Sequence, residues 1–248
     1  MTVAVPETET LSASEVLRWA VEKWGDHFAV VTSFQNEGMV VLDMAARLKP
    51  DVRVYTIDTG RLPPETYDAI EAVYGRYGLR VRTLHPEAAE LASMVAKFGP
   101  NLFLESPGHR RACCEIRKVR PLAAGLTRDG IEAYAVGLRR QQSETRRDIL
   151  KVDSSENRTK ISPLADWTRE QVAAYLREHD VPVHPLYAKG YGSIGCGPCT
   201  RATAEGEAER AGRWWWEQGI ASECGLHFGA GGKVERTVDV LVREILSS

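Results

Sequence analysis

The run Phe28-Ala-Val-Val-Thr32 is apolar and β-branched, and it leads through Ser33-Phe-Gln-Asn-Glu-Gly38 into a helical pattern over residues 39–48. A strand, a glycine-containing turn and an amphipathic helix in this order are typical of a βαβ unit. The alternation continues downstream and predicts an α/β fold, with a mostly parallel sheet and helices on both faces. The predicted strands span residues 28–32, 52–57, 79–84, 132–136 and 158–161, and the predicted helices 12–23, 39–48, 64–77 and 112–122.

The pattern changes after Pro163. A helix ending at His179 is followed by a Pro/Gly-rich stretch over residues 182–198 and then by a predicted helix through Trp214-Trp215-Trp216. Ser12-Ala-Ser-Glu15 and Thr168-Arg-Glu-Gln171 both predict capping boxes at helix starts. One α/β domain with a C-terminal extension is the simplest organisation that this pattern indicates.

Composition narrows the class of protein. The 32 Lys and Arg against 34 Asp and Glu leave a net charge of −2, which does not favour a nucleic-acid binder. The sequence has no apolar run of the ~20 residues that span a membrane, and its acidic first residues do not resemble a signal peptide. An odd number of cysteines, five, then favours a reducing cytoplasm over a disulfide framework.

Polar turns follow three of the predicted strands, where an open parallel sheet binds its ligands. They are Ser33–Gly38, Asp58-Thr-Gly-Arg61 and Gly137-Leu-Arg-Arg140. None matches a Walker A or a GxGxxG pattern, so each turn alone is a weak sign of a nucleotide. Arginine pairs such as Arg139-Arg140 and Arg146-Arg147 add to the pattern. A solvated surface is the favoured interpretation for any one pair, whereas several beside such turns favour a phosphate or sulfate group.

Four of the cysteines form two tight pairs, Cys113-Cys114 and Cys196-Gly-Pro-Cys199. Thiolates at four positions suit zinc or an iron–sulfur cluster. Adjacent cysteines on a helix point about 100° apart, which strains one tetrahedral ion but suits separate iron corners. The pairs therefore favour an iron–sulfur cluster over zinc, and a redox disulfide is the third interpretation.

The fifth cysteine, Cys224, lies in the polar segment Ser222-Glu-Cys-Gly-Leu-His227, near the end of the chain. His227 and upstream arginines could stabilise its thiolate. Arg210 and Arg213, at i and i+3 of the predicted helix, would share a face, and Lys118 would lie one turn from Cys114. Cys224 is therefore the candidate nucleophile.

These motifs together resemble one family, the thioredoxin-dependent adenylyl-sulfate reductases, in their cluster-containing branch. The resemblance spans about residues 28–227 and rests on Ile57-Asp-Thr-Gly-Arg-Leu62, Pro64-Glu-Thr-Tyr67, Cys113-Cys-Glu-Ile-Arg-Lys-Val-Arg-Pro121, Gly137-Leu-Arg-Arg-Gln-Gln-Ser143, Thr145-Arg146, Ile161-Ser-Pro-Leu164, Tyr191-Gly-Ser-Ile-Gly-Cys-Gly-Pro-Cys199, Gly212-Arg-Trp-Trp-Trp-Glu217 and Glu223-Cys-Gly-Leu-His227.

The resemblance implies a Rossmann-like fold of the adenine-nucleotide α-hydrolase type, with a modified pyrophosphate loop at Ser33–Gly38. It implies a nucleotide- and cluster-binding domain over residues 1–218 and a flexible segment over 219–248 that carries the nucleophile, Cys224. The implied 4Fe–4S ligands are Cys113, Cys114, Cys196 and Cys199. The implied substrate contacts are Ser33, Ile57, Thr59, Lys118, Gly137, Arg146, Arg210, Arg213 and His227. The first loop departs from the family, which usually has an acidic pair there, and the contacts of Gln35, Asn36 and Glu37 are left open.

The resemblance further implies reduction of adenosine 5′-phosphosulfate to sulfite and AMP through an S-sulfocysteine on Cys224, which thioredoxin or a glutaredoxin-like dithiol protein releases. A cytoplasmic enzyme is expected, and a homo-oligomer is compatible with the sequence. Three alternatives stay open: a reductase of the 3′-phosphorylated nucleotide or of both nucleotides, an ATP-dependent tRNA-thiolating enzyme, and a metal-stabilised nucleotide sensor without activity.

Overall fold

The computed structural model describes residues 7–155, 157–217 and 233–247. The strands are β1 (Phe28–Val31), β2 (Arg53–Ile57), β3 (Val81–Leu84), β4 (Ala133–Ala135), β5 (Val152–Asp153) and β6 (Thr159–Ile161). The α-helices are α1 (Ala13–Trp24), α2 (Asn36–Leu48), α3 (Pro64–Tyr77), α4 (Ala88–Phe98), α5 (Pro107–Cys114), α6 (Arg120–Arg128), α7 (Arg169–Glu178) and α8 (Lys233–Leu246).

The strands form one sheet in the order β3-β2-β1-β4-β6-β5. Strand β1 pairs in parallel with β2 and with β4, and β4 pairs in parallel with β6. The short edge strand β5 is antiparallel to β6. The predicted mostly parallel α/β sheet flanked by helices is therefore confirmed. Among the described residues, no helix is long and apolar enough to cross a membrane.

The helix starts follow their local chemistry. Both predicted capping boxes form, at Ser12 and at Thr168. The predicted helix over 112–122 instead runs as α5, a π-helical turn (Glu115–Val119) and α6. It begins five residues early because Ser106 caps it and Pro107 suits its first turn. Pro121 has no N–H to donate into the preceding turn, which fits the change of helical type just before it.

The described chain divides into two compact units. Of the described residues, the first unit comprises 7–56, 62–82, 129–155 and 157–215, and the second comprises 57–61, 83–128, 216–217 and 233–247. The core of the first unit packs apolar faces of α1, α2, α3 and α7 around β1, β2 and β4. The division predicted at residue 218 stays a prediction, because residues 218–232 lie outside the described residues.

Candidate active site and cysteine pairs

The loops after β1 and β4 meet at the point where the strand order of the sheet reverses. The chain leaves β1 toward β2 and β3 on one side, and β4 returns on the other side of β1. Ligands of open parallel sheets bind at such a point, outside the carboxyl ends of the strands. Ser33, in the first of these loops, is exposed.

Gly137 allows the two loops to approach closely. A Cβ built on Gly137 would lie 2.3 Å from the Gly38 nitrogen and 2.5 Å from the Glu37 carbonyl carbon. Both are backbone atoms, so a side chain at this position would displace the first turn of α2. The N-terminus of a helix favours an anion, and the loops therefore frame a candidate phosphate site at the start of α2.

A buried ion triad fixes the same region. Arg139 is 1% exposed, and it donates from Nε to Glu37 Oε1 at 2.7 Å and from Nη2 to Glu209 Oε2 at 2.9 Å. Burial and the charge of Glu37 raise the pKa of Glu209, while Arg139 opposes them. Glu37 is therefore held by Arg139, and the solvated-surface interpretation is wrong for this arginine.

Gln35 and Asn36, whose contacts the sequence left open, have different partners. Gln35 donates from Nε2 to Ser33 Oγ at 3.1 Å and accepts from the Ile194 amide at 2.8 Å. The Asn36 amide donates to Tyr187 Oη at 3.3 Å, and burial raises the pKa of this tyrosine. Both residues connect the loop after β1 to the segment that precedes Cys196.

Arg146 and Arg213, predicted to hold substrate, are buried at 5% and 8% exposure. Arg146 donates to Gln142 Oε1. Arg213 donates to the Ile194 carbonyl oxygen at 3.1 Å, and its guanidinium lies 4.5 Å from the Trp214 ring centroid. Arg210 lies 5.9 Å from the same ring.

The predicted helix through Trp214–Trp216 is wrong, and with it the shared helical face of Arg210 and Arg213. Arg213 instead bridges Thr200 as an isolated antiparallel pair, and Trp214 has a φ of +48°. A Cβ on Gly212 would lie 2.2 Å from the Arg201 carbonyl oxygen. This long-range pairing holds residues 212–214 against residues 199–201, and the residues around it form turns and bends instead of a helix.

The second cysteine pair occupies a tight turn in the first unit. Cys196 and Cys199 flank a 3-10 turn, Gly197–Cys199, in which the Cys199 amide donates to the Cys196 carbonyl oxygen at 2.9 Å. The Thr200 hydroxyl donates to the same carbonyl at 2.9 Å. Backbone and side-chain hydrogen bonds thus order the turn that carries both thiols.

The turn after β2, in the second unit, is held by Arg117. Thr59 is fully buried, and its carbonyl oxygen accepts from Arg117 Nη1 at 2.5 Å. Gly60 adopts a φ of +71° and its amide donates to Asp58 Oδ1 at 2.8 Å, while Ile57 ends β2. Arg117 is 6% exposed, so this arginine too is structural and was missed as such in the sequence.

The first cysteine pair ends α5 in the second unit. Cys113 and Cys114 are its last residues, and Lys118 lies in the π-helical turn that follows. The i+4 relation between Cys114 and Lys118 therefore falls in a π-helical turn rather than on the regular α-helix that the sequence predicted. π-Helical turns within helices are common at functional sites.

The donor set fits a metal cluster chemically. The four cysteines are 7%, 8%, 8% and 9% exposed, and cysteine thiolates are the usual ligands of iron–sulfur clusters. The first pair ends the α-helix α5, and the second flanks a 3-10 turn. Within the described ranges, no group of three or more His, Cys, Asp and Glu side chains is arranged to hold a metal ion. Cys224 and His227 lie outside the described residues.

Comparisons with known proteins identify relatives of this chain. The model of the phosphoadenosine phosphosulfate reductase domain matches residues 27–202. The adenosine 5′-phosphosulfate reductase of Allochromatium vinosum is 44% identical over 204 residues, which cover 82% of this chain and 79% of the relative. That of Streptomyces coelicolor is 44% identical over 223 residues, covering 89% and 90%.

A solved structure also aligns with most of the chain. It is the phosphoadenylyl-sulfate reductase of Candida auris in a phosphate complex, with a TM-score of 0.65 and 29% identity over 81% of this chain and all of that one. The FMN adenylyltransferase of Candida glabrata, at a TM-score of 0.55 and 12% identity over 98% and 86%, shares the fold alone.

Proposed function

The chain belongs to the phosphoadenosine phosphosulfate reductase domain family, and we propose that it reduces adenosine 5′-phosphosulfate to sulfite and AMP in sulfate assimilation. It is an oxidoreductase of this family. The assignment of the substrate rests on one observation. Over 82–89% of its length the chain is 44% identical to relatives that are named adenosine 5′-phosphosulfate reductase.

The nucleotide binds at the loops after β1 and β4 in this proposal. Ser33 and the close approach at Gly137 offer the phosphate a helix N-terminus, and Ile57, Thr59 and Arg146 complete the adenosine and phosphate contacts. Lys118, Arg210, Arg213 and His227 are assigned to the phosphosulfate. Positive groups of this kind neutralise charge that develops on the bridging oxygen and on the transferred sulfonate.

Chemistry begins at the Cys224 thiolate, which attacks the sulfur of adenosine 5′-phosphosulfate. The S–O bond to the phosphate breaks, AMP leaves with the electron pair, and an S-sulfocysteine remains. A thiolate of a dithiol protein such as thioredoxin then attacks Cys224 Sγ and releases sulfite. Its second thiol resolves the mixed disulfide, so the dithiol supplies the two electrons of the reduction.

A 4Fe–4S cluster on Cys113, Cys114, Cys196 and Cys199 is the second part of the proposal. When bound, the cluster would supply a fixed charge beside the substrate without itself changing redox state. Lys118, four residues from Cys114, would hold the anionic substrate, and the enzyme would act in the reducing cytoplasm. The support is the donor set, four cysteines each less than 10% exposed.

The activity is tested by the choice of nucleotide. We expect sulfite and AMP from adenosine 5′-phosphosulfate with thioredoxin, and a kcat/KM about 10²-fold or more above that for the 3′-phosphorylated nucleotide, because an added phosphate must find its own charged partners. The reverse preference would place the chain in the other branch, which the Candida auris structure represents. Absence of turnover with both nucleotides would contradict sulfonucleotide reduction.

The cluster is tested by metal analysis. Anaerobically purified protein is expected to contain iron and acid-labile sulfide in equal amounts, and Cys196→Ala to lose both because a thiolate ligand is removed. Cys224→Ser is the matched control and should keep them. Zinc without sulfide in the wild type would contradict the cluster.

A further inference from the structure

Gln35 occupies the helix N-cap position of α2, but its side chain does not cap the helix. The carboxamide turns instead toward the segment that leads into Cys196. Its Oε1 accepts from the Ile194 amide at 2.8 Å and from Ser193 Oγ at 3.1 Å. Since a backbone N–H can only donate, the atom facing Ile194 is the oxygen, and the Nε2 donors face Ser33.

The other side of the same segment is held by Arg213. Its Nη1 donates to the Ile194 carbonyl oxygen at 3.1 Å and to Ser193 Oγ at 3.4 Å. Ser193 and Ile194 are each 3% exposed. The peptide before the cysteine turn is therefore held on its amide by Gln35 and on its carbonyl by Arg213, inside the protein.

Further hydrogen bonds connect this segment to the turn that carries Cys196 and Cys199. The Gly195 amide donates to Thr200 Oγ1 at 3.1 Å, and this hydroxyl donates to the Cys196 carbonyl oxygen. A Cβ on Gly195 would lie 2.3 Å from Arg213 Nη2, so the guanidinium packs directly on residue 195. A shift of residues 193–195 therefore cannot leave the placement of Cys196 unchanged.

Gln35 also forms a hydrogen bond within the loop after β1, which contains Ser33. Gln35 Nε2 donates to Ser33 Oγ at 3.1 Å, and Ser33 is an exposed residue of the candidate phosphate site. A nucleotide that engages Ser33 must fix or redirect this hydroxyl, and Gln35 is its direct neighbour. The structure contains a short continuous path of hydrogen bonds from Ser33 through Gln35 to Ile194.

We propose that Gln35 is a positioning residue that couples nucleotide binding at Ser33 to the placement of the Cys196–Cys199 turn. This inference rests on the proposed nucleotide site. By linkage, a nucleotide that orders Gln35 then restricts the cysteine turn, and an intact turn strengthens nucleotide binding.

The test uses the anaerobically purified protein and measures, by peptide mass spectrometry with and without saturating AMP, how fast a maleimide labels Cys196 and Cys199 as they are released from the bound cluster. AMP should slow both reactions of the wild type about five-fold or more, the lower end of usual coupling between sites. Gln35→Met has a similar volume but no acceptor, so both cysteines should react faster and the effect of AMP should disappear. Calorimetry establishes that AMP saturates each variant.

Two controls separate coupling from general damage. Gln35→Glu keeps the oxygen acceptors for Ile194 and Ser193, so in the absence of AMP its cysteines should react as slowly as those of the wild type. The added charge is expected to weaken AMP binding. Gln171→Ala removes a comparable glutamine acceptor at the start of α7 and should keep the wild-type response to AMP.

Three results would overturn the coupling. The first is that AMP binds the wild type but does not change the rates at which its two cysteines react. The others are that AMP slows the reactions of Gln35→Met as much as those of the wild type, or that the Met and Glu variants change the rates equally. Failure of AMP to bind the wild type would instead count against the proposed nucleotide site. The readout follows the thiols directly, so it is independent of turnover.

Discussion

Cys224→Ser is expected to abolish the sulfonated protein that forms when the wild type meets adenosine 5′-phosphosulfate without a reductant. The serine hydroxyl is almost wholly protonated at neutral pH and has no adjacent base assigned to activate it. Turnover should fall by at least about 10³-fold, as when other enzymes lose their nucleophile. Intact mass spectrometry measures the adduct, a gain of one sulfonate that maps to Cys224 and is released as sulfite by thioredoxin.

The same variant should bind AMP as the wild type does, because the nucleotide contacts assigned here lie on other residues. Ser222→Ala, two positions away, is the control for a change in this segment and should keep the adduct. An adduct on the Cys224→Ser protein would show that another sulfur is the nucleophile. Loss of AMP binding in that variant would mean that Cys224 serves the nucleotide pocket rather than the sulfonate transfer.

The central part of the fold was predictable because its signals are local. A β-branched strand, a glycine turn and an amphipathic helix identified β1 and α2, and the two capping boxes formed as predicted. Helix α4 was not predicted, and Glu87 at its N-cap position makes no side-chain cap. The two-residue strand β5 exists only through its pairing with β6.

The errors at the candidate site have a common physical origin, which is long-range contact. The apolar Trp214–Trp216 run predicts a helix locally, but pairing of Arg213 with Thr200 decides its conformation. Two adjacent arginines usually lie on the solvent-exposed surface, and no local sequence pattern distinguishes the buried Arg139 from its neighbour. Its partner Glu209 lies 70 residues away in the sequence.

Arg139→Met is expected to lower the free energy of unfolding by about 3–5 kcal/mol, the range found when one partner of a buried ion pair is removed. Arg139 is the cation between Glu37 and Glu209, and its side chain is 2% exposed. The variant would leave Glu37 and Glu209 near each other without the arginine that pairs with both. Thermal and urea unfolding measure the loss.

The loss should depend on pH in a defined direction. In the wild type, burial and the Glu37 charge already hold the pKa of Glu209 above its ordinary value, and Arg139 opposes them. A carboxyl whose pKa is raised by folding favours the folded state below its unfolded pKa, and this contribution is lost as the pH rises through the folded pKa. Without Arg139 that pKa rises further, so the variant should lose stability relative to the wild type as the pH rises above the ordinary pKa of a glutamate.

Two comparisons make the prediction decisive. Arg147→Met removes an arginine whose pair with Glu144 is 69% and 82% exposed, and it should cost less than about 0.5 kcal/mol at every pH. Combining Arg139→Met with Glu37→Gln and Glu209→Gln removes the uncompensated charges and should recover much of the stability and abolish the pH dependence. If the triple variant is as unstable as Arg139→Met alone, the packing of the arginine, rather than its charge, holds the loop after β1 to residues 137–139.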